Sequence, residues 1–108
     1  MKAHRAAIAL AGAAVLYAAG AAAAPSGEEL IKKDGCTACH SVDKKIVGPA
    51  YKDVANKYRN DPKAAAYLEN KVKKGGSGVW GPVPMPPNTQ VSDADIKTLV
   101  AYILALKK

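Results

Sequence analysis

The sequence predicts an all-α fold built from four short helices. Apolar residues recur at helical spacing in several stretches, and serines stand where they can cap helices. No run of alternating polar and apolar residues predicts a strand, and no βαβ pattern or internal repeat is present. The four helices are all predicted within residues 25–108.

The first helix is predicted from its start and stop signals. The stretch SGEE, residues 26–29, has the pattern of a capping box, with Ser26 as the N-cap and Glu29 at the third helical position. The helix should then run to about Asp34 and end at Gly35, because glycine commonly follows the last helical turn.

The second and third helices follow from spacing and from proline chemistry. One apolar face at i, i+3, i+4 and i+7 predicts the second helix: Tyr51, Val54, Ala55 and Tyr58. Asp61-Pro62 should open the third helix, because a proline in the first turn loses no hydrogen bond. Leu68 and Val72 give this helix its apolar side, and Gly75-Gly76 should end it.

The last helix follows a stretch without any period. Residues 75–90 show no helical or strand spacing, and four of the seven prolines fall between Pro82 and Pro87. We therefore predict one long loop there. Ser92 should cap the final helix, whose buried stripe is predicted to be Ile96, Leu99, Val100 and Ile103.

Residues 1–24 have the layout of a secretory signal peptide. A short basic region precedes an uncharged apolar run, and small residues ending in Ala22-Ala23-Ala24 follow. The alternative is a retained membrane anchor, because residues 6–24 approach the ~20 residues that a spanning helix needs. The run is mostly alanine, so we expect cleavage after Ala24 and export of residues 25–108 as one small domain.

The composition of the exported domain limits its partners. Lys2 and Arg5 lie in the first 24 residues, so 14 of the 16 basic residues remain against all nine acidic ones, a net charge of +5. Such a domain suits an acidic protein surface or an anionic membrane face. We expect no nucleic-acid partner, because no aromatic side chains interleave with the basic ones. Residues 25–108 contain no phenylalanine and one tryptophan, which suggests that another group fills the centre.

Both cysteines lie in GCTACH, residues 35–40. Three uses are open: a dithiol redox site, half of a metal site, or an attachment point for haem. A thioredoxin-like dithiol would need a βαβ frame, which the sequence lacks. A structural zinc site would need four nitrogen or sulfur ligands, and the exported domain offers only Cys36, Cys39 and His40. A disulfide between the two cysteines would close too small a loop to stabilise the fold.

The pattern C-x-x-C-H is the signature of c-type haem attachment. Two cysteines three residues apart on a helical turn point to the same side, so Cys36 and Cys39 can both form thioethers with one porphyrin. His40, the next residue, then comes under the iron and can supply its imidazole. The export signal agrees with this prediction, because haem c is attached after export.

Met85 is the predicted second ligand of the iron. It is the only methionine of residues 25–108, as His40 is the only histidine. A single methionine can also serve as core filler. Met85, however, lies in GPVPMPPN, residues 81–88, where the prolines fix the backbone. A His/Met pair is typical of electron-transfer cytochromes c, whereas a peroxidase or a ligand-binding haem protein keeps an open iron site.

These motifs, with VGPAYKDVA and the closing helix, resemble the small bacterial class I cytochromes c of the c-551/c-552 type, the cytochrome c8 family. The resemblance covers residues 26–106. It implies four short helices wrapped around one covalently attached haem c, and a soluble periplasmic electron carrier that is not an enzyme.

The resemblance also assigns roles to three residues around the haem. It implies that the Pro49 carbonyl accepts a hydrogen bond from the ligating histidine. It implies that Trp80 donates to a haem propionate, although an ordinary packed indole stays open, and that Asn88 lies beside the methionine sulfur.

The family further implies periplasmic redox partners and a monomer. The donor would be a quinol-oxidising complex, and the acceptor a nitrite reductase or a terminal oxidase. We expect some of seven lysines to frame the exposed haem edge: Lys32, Lys33, Lys44, Lys45, Lys71, Lys73 and Lys74. The alternative is docking through an apolar patch formed by Val47, Val79 and Pro82.

Overall fold

The computed structural model describes Gly12 and residues 24–107. Four α-helices account for most of the secondary structure, as predicted: α1 (Gly27–Lys33), α2 (Tyr51–Lys57), α3 (Ala64–Lys74) and α4 (Asp93–Leu104). A short 3-10 turn, Cys36–Ala38, follows α1, and two strands lie between α3 and α4: β1 (Gly76–Gly78) and β2 (Gly81–Met85). The predicted signal peptide lies outside the described residues, except for Gly12 and Ala24.

Two helices begin at the serines that the sequence predicts. The Ser26 Oγ accepts a hydrogen bond from the Glu29 N–H at 3.2 Å, and the Ser92 Oγ accepts one from the Asp95 N–H at 3.2 Å. Each bond satisfies one of the backbone donors that a helix leaves unpaired in its first turn. Gly35 follows α1 with φ +75°, so the predicted stop is also confirmed.

The third helix begins two residues later than the sequence predicts. Asp61 and Pro62 lie in a turn before α3, which begins at Ala64. The Asp61 carboxylate accepts a hydrogen bond from the Lys63 N–H at 2.8 Å, and its carbonyl accepts one from the Ala64 N–H at 3.2 Å. Since the side chain and the carbonyl of Asp61 take these two donors, the chain closes a turn before the helical ladder starts.

The core forms where α4 packs against α1, α2 and α3. The predicted stripe on α4 is buried throughout: Ile96, Leu99, Val100 and Ile103. Leu30 on α1 is completely buried against it, and burial of a side chain of this kind contributes about 1.5–3 kcal/mol. A Cβ on Gly27 would overlap the side chain of Tyr102, so glycine lets α1 cross close to α4.

The prediction of a long loop without strands is wrong, because residues 75–90 contain the two strands β1 and β2. These strands pair antiparallel, with Gly76 opposite Met85 and Gly78 opposite Gly81. Three of the glycines have positive φ, at +141° for Gly76, +114° for Gly78 and +118° for Gly81. Glycine reaches these backbone angles at little cost, so the hairpin forms with Val83 as the one β-branched residue of its strands, too few to reveal a strand in the sequence.

The hairpin is part of a longer connection, residues 75–92, between the end of α3 and the start of α4. It is the one sheet within residues 24–107, and its two antiparallel strands do not form a βαβ unit around the cysteines. In the described part of the chain, no helix has both the length and the apolar character needed to span a bilayer.

Candidate haem site

One cavity of about 280 Å³ brings together all seven residues that the sequence singles out. They come from the turn after α1, from the loop just before α2 and from the hairpin connection: Cys36, Cys39, His40, Pro49, Trp80, Met85 and Asn88. Helices α2, α3 and α4 supply apolar side chains to its walls: Val54, Leu68, Val72, Leu99, Val100 and Ile103. The cavity is therefore an apolar space with sulfur and nitrogen donors on its wall.

A tight turn places both thiols on this cavity. Gly35 adopts the left-handed conformation and starts the 3-10 turn over Cys36–Ala38. The Cys36 carbonyl accepts hydrogen bonds from the Cys39 N–H at 3.2 Å and from the His40 N–H at 3.0 Å. Both cysteines are free thiols and half-buried, so the turn holds two sulfurs and an imidazole within five residues.

The imidazole of His40 has a defined hydrogen bond. Its Nδ1 lies 2.8 Å from the Pro49 carbonyl oxygen. A carbonyl can only accept, so Nδ1 carries the proton in this bond and Nε2 is left with its lone pair. This is the tautomer that a histidine needs in order to ligate a metal through Nε2.

Two further contacts to His40 were missed by the sequence reasoning. The Tyr51 ring stacks on the imidazole, with ring centroids 5.0 Å apart and planes 16° from parallel. A Cβ on Gly48 would lie 2.5 Å from His40 Cε1, so residue 48 has no room for a side chain. Helical spacing assigned Tyr51 only to the core of the protein, and no periodic pattern links Gly48 to His40 eight residues earlier.

Burial dominates the electrostatics beside the attachment turn. It raises the pKa of the Cys36 thiol above its ordinary value, and the negative charge of Asp34 raises this pKa further. The pKa of the Tyr51 hydroxyl is also raised, mainly by burial and then by the Cys36 charge. One carboxylate oxygen of Asp34 is shielded from solvent without a hydrogen-bond partner among the described residues. The surroundings therefore favour a neutral thiol and a neutral phenol.

Met85 ends β2 and is half-buried at the cavity. Its carbonyl oxygen lies so close to Gly75 that a Cβ at that position would overlap it. Three residues further on, Asn88 binds the Val72 carbonyl on α3 twice, through Nδ2 at 2.9 Å and through its backbone N–H at 3.1 Å. These contacts on either side attach Met85 to the end of α3.

Trp80 lies in the turn between β1 and β2, at the rim of the cavity. Its side chain is 39 % exposed, so it does not belong to the buried core. The Lys57 ammonium stands 5.8 Å from the Trp80 ring and 5.9 Å from the Tyr58 ring. A cation–π contact of this kind at the surface is worth about 0.5–1 kcal/mol.

Charged and apolar side chains both occur at the cavity rim. Lys45 and Lys71 line it, and so do Val47 and Val79, which are 48 % and 51 % exposed. Two of the other lysines in the predicted frame form ion pairs instead: Lys32 with Glu28 at 3.4 Å and Lys73 with Asp93 at 2.7 Å.

The donor set fits a covalently bound haem. Two thiols can form the thioethers, while an imidazole nitrogen and a thioether sulfur are ligands that haem iron accepts. The apolar walls suit the porphyrin plane. Over residues 24–107, no three His, Cys, Asp or Glu side chains cluster closely enough to hold a bare metal ion.

Comparison with known proteins agrees with this fit. A cytochrome c family model matches residues 24–107. The chain is 55 % identical to cytochrome c-552 of Nitrosomonas europaea over 95 residues, which cover 88 % of this chain and 90 % of that protein. It is 62 % identical to cytochrome c-551 of Allochromatium vinosum over 77 residues, which cover 71 % of this chain and 82 % of that protein.

Solved structures give the same result. The crystal structure of wild-type Nitrosomonas europaea cytochrome c552 matches with a TM-score of 0.72 and 57 % identity, over 74 % of this chain and 99 % of that one. The class 1 cytochrome MtoD from Sideroxydans lithotrophicus ES-1 matches with a TM-score of 0.64 and 36 % identity, over 73 % of this chain and 90 % of that one. The predicted resemblance and the class I fold are thus confirmed. The chain belongs to the cytochrome c family, electron carriers rather than enzymes, which bind haem c covalently through cysteines such as Cys36 and Cys39.

Proposed function

We propose that residues 25–108 form a periplasmic one-electron carrier in which His40 and Met85 are the two axial ligands of the haem iron. The observation that supports this most is the shared cavity, which both side chains line together with the two thiols. Haem c supplies an iron that changes between Fe(III) and Fe(II). With His40 and Met85 both holding the iron, no substrate would have to bind the metal.

Each group of residues at the cavity has its own proposed role. Cys36 and Cys39 hold the porphyrin, and the Pro49 carbonyl keeps the Nε2 lone pair of His40 free for the iron. The thioether of Met85 is a soft ligand that favours Fe(II) and raises the reduction potential. The apolar walls exclude water, which spares the site large solvent reorganisation.

The first residues support the proposed location and processing of the chain. A basic, apolar and small-residue succession over residues 1–24 supports export with cleavage after Ala24. Trp80 at the rim is proposed to donate to a haem propionate, and Asn88 to help keep the methionine sulfur in place.

The partners are proposed to be periplasmic redox proteins, with a quinol-oxidising complex as donor and a nitrite reductase or a terminal oxidase as acceptor. Lys45 and Lys71 on the rim support docking onto an acidic surface, and the exposed Val47 and Val79 support an apolar contact at its centre. Charges at the edge of an interface act mainly on the association rate.

The ligand assignment is tested with Met85→Ala. The purified wild-type protein should have the mass of residues 25–108 plus one haem, and its oxidised form should show a Met-to-Fe(III) charge-transfer band. The variant should lose the band, and its reduction potential should fall by a sizeable part of the ~0.8 V range that axial ligands span. Met85 would not be the ligand if the variant kept the wild-type potential and band.

The docking proposal is tested by the ionic-strength dependence of electron transfer. The bimolecular rate to a physiological partner should fall as salt screens the lysines over ~8–10 Å, while the reduction potential stays nearly constant. Replacing Lys44 and Lys45 together by alanine should flatten this dependence. A stopped-flow salt series without any change in rate would reject the lysine frame and favour the apolar contact.

A further inference from the structure

We infer that Gly48 and Tyr51 are positioning residues which, with the Pro49 carbonyl, fix the plane of the His40 imidazole. This inference rests on the proposed ligation of the iron by His40. It assigns to the run GPAY, residues 48–51, the role of a clamp on the ligand ring.

The stacking contact is the first observation. The Tyr51 and His40 rings lie nearly parallel, 16° apart, with centroids separated by 5.0 Å. Tyr51 is 5 % exposed and is the first residue of α2, and its backbone N–H donates to the Ser41 carbonyl at 2.9 Å. A ring that is buried and tied to a helix start cannot follow the imidazole if the imidazole rotates.

The close approach of Gly48 is the second observation. A Cβ there would lie 2.5 Å from Cε1, 2.9 Å from Nδ1 and 3.0 Å from Nε2 of His40. The backbone at Gly48 is held against this ring, because its N–H donates to the Cys39 carbonyl at 2.7 Å. The loop is thus tied to the residue that precedes the ligand.

The hydrogen bond to Pro49 alone would leave the ring some freedom. A bond between Nδ1 and a carbonyl fixes one atom of the imidazole, and the ring can still tilt about that bond. The stack on one face and the glycine backbone close to the ring restrict this tilt. The three contacts together leave one orientation of the ring plane.

This orientation has a spectroscopic consequence in the oxidised protein. An imidazole interacts with the iron d orbital that matches its π system, so the direction of the ring plane sets how unpaired spin spreads over the porphyrin. With the Met85 ligand unchanged, the paramagnetic NMR shifts of the haem methyl groups therefore report the plane of the imidazole. The reduced low-spin form lacks unpaired spin, so its shifts report only changes in local packing.

The test uses the haem-loaded protein with Tyr51→Leu and the matched control Tyr51→Phe. Leucine keeps an apolar side chain but removes the ring, whereas phenylalanine keeps the ring and removes only the hydroxyl. We expect the control to retain the wild-type order and spread of the haem methyl shifts after subtraction of the reduced-state shifts. Tyr51→Leu should change that order or compress the spread, with the haem mass and the helical circular dichroism unchanged.

A wild-type methyl pattern in folded Tyr51→Leu would overturn the clamp while leaving ligation by His40 intact. If this variant fails to fold, Gly48→Ala decides. Its added Cβ must displace the imidazole, so an unchanged methyl pattern there would equally overturn the inference. Absence of a histidine nitrogen ligand in the wild-type protein would overturn the ligation itself, and with it the clamp.

Discussion

Tyr51 and Trp80 both line the haem cavity, but the protein holds them differently. Tyr51, in the attachment segment (residues 35–51), is 5 % exposed and stacks on the predicted ligand His40. Trp80, in the hairpin segment (residues 75–92), is 39 % exposed and contacts a surface lysine. The strands around it are mostly exposed, whereas α2 has a buried face that begins at its first residue, Tyr51.

The same contrast holds for the two predicted iron ligands. His40 is fixed by a hydrogen bond, a stacked ring and a glycine backbone. Met85 is held in place by the close contact of its carbonyl with Gly75 and by the hydrogen bond from Asn88 to α3. Segments with few buried contacts open at a lower free energy than the core of a protein. We therefore expect the Met85–iron bond to be lost before the helices unfold.

The largest effect is expected from the helical core that both segments share. Leu30 is completely buried between α1 and α4, so Leu30→Ala should lower the free energy of unfolding by about 2–5 kcal/mol. In guanidinium titrations, the midpoint of the helical circular dichroism and the midpoint of the Met-to-Fe(III) band should both shift to a lower denaturant concentration. The exposed Thr37→Ala is a control that should shift neither. A change confined to the band would show that the hairpin segment, and not the shared core, depends on Leu30.

A smaller and more local effect is expected at Gly75. Its φ of +70° with ψ of −165° is a conformation restricted almost entirely to glycine, and a Cβ would also overlap the Met85 carbonyl. Gly75→Ala should destabilise the closed hairpin segment by about 1–3 kcal/mol. The titration midpoint of the Met-to-Fe(III) band should fall by more than that of the helical signal.

Gly78→Ala is the matched control for Gly75→Ala. Gly78 also has a positive φ, +114°, but a Cβ there would meet nothing within 4 Å. Gly78→Ala should therefore lower stability through backbone strain alone and should leave Met85 in place. Equal shifts of the band and the helical signal in Gly75→Ala would mean that the hairpin segment unfolds together with the helices.

The smallest effect concerns the base of the hairpin segment, where Lys73 on α3 pairs with Asp93 at the start of α4. The hydrogen bond from Lys73 holds the pKa of Asp93 below its ordinary value of 3.8. Because the pKa of Asp93 is lower in the folded state, the pair contributes its full stabilisation above pH 3.8. This stabilisation is lost as the pH falls through the lowered pKa and Asp93 is protonated. Lys73→Gln should weaken Met85 ligation slightly at neutral pH, and high salt should reduce the difference.

NMR titration of the Asp93 carboxyl checks this directly, since its pKa should rise towards 3.8 in Lys73→Gln. Lys52→Gln is the matched control, because Lys52 pairs with Asp43 at 2.6 Å, outside the hairpin segment. An unchanged Asp93 pKa in Lys73→Gln would show that the pair does not form in solution.

The sequence predicted those features that depend on neighbouring residues. Ser26 and Ser92 cap their helices because an N-cap bond joins residues three apart, and the stripe on α4 is buried because its spacing matches the helical turn. Cys36, Cys39, His40 and Met85 were found through the C-x-x-C-H spacing and the single methionine of residues 25–108, and Pro49, Trp80 and Asn88 through the family resemblance. All of them line the cavity, but their roles at the haem stay predictions.

The features that were missed depend on backbone geometry and on distant contacts. The hairpin forms through glycines at positive φ, which carry no strand pattern. The start of α3 was misplaced because the Asp61 side chain bonds the Lys63 N–H before the helix begins. The stack of Tyr51 on His40 joins two elements across a loop, and no periodicity reports such a pair.

The claim that the protein holds Met85 less firmly than His40 is tested most directly by one guanidinium titration of the oxidised wild-type protein. The Met-to-Fe(III) charge-transfer band and the helical circular dichroism are followed in the same samples. We predict that the band disappears at a lower denaturant concentration, while the helices and the His40 ligation persist. Loss of both signals at a single midpoint would contradict the account, because Met85 ligation would then be as stable as the helical fold and the hairpin segment would not open first.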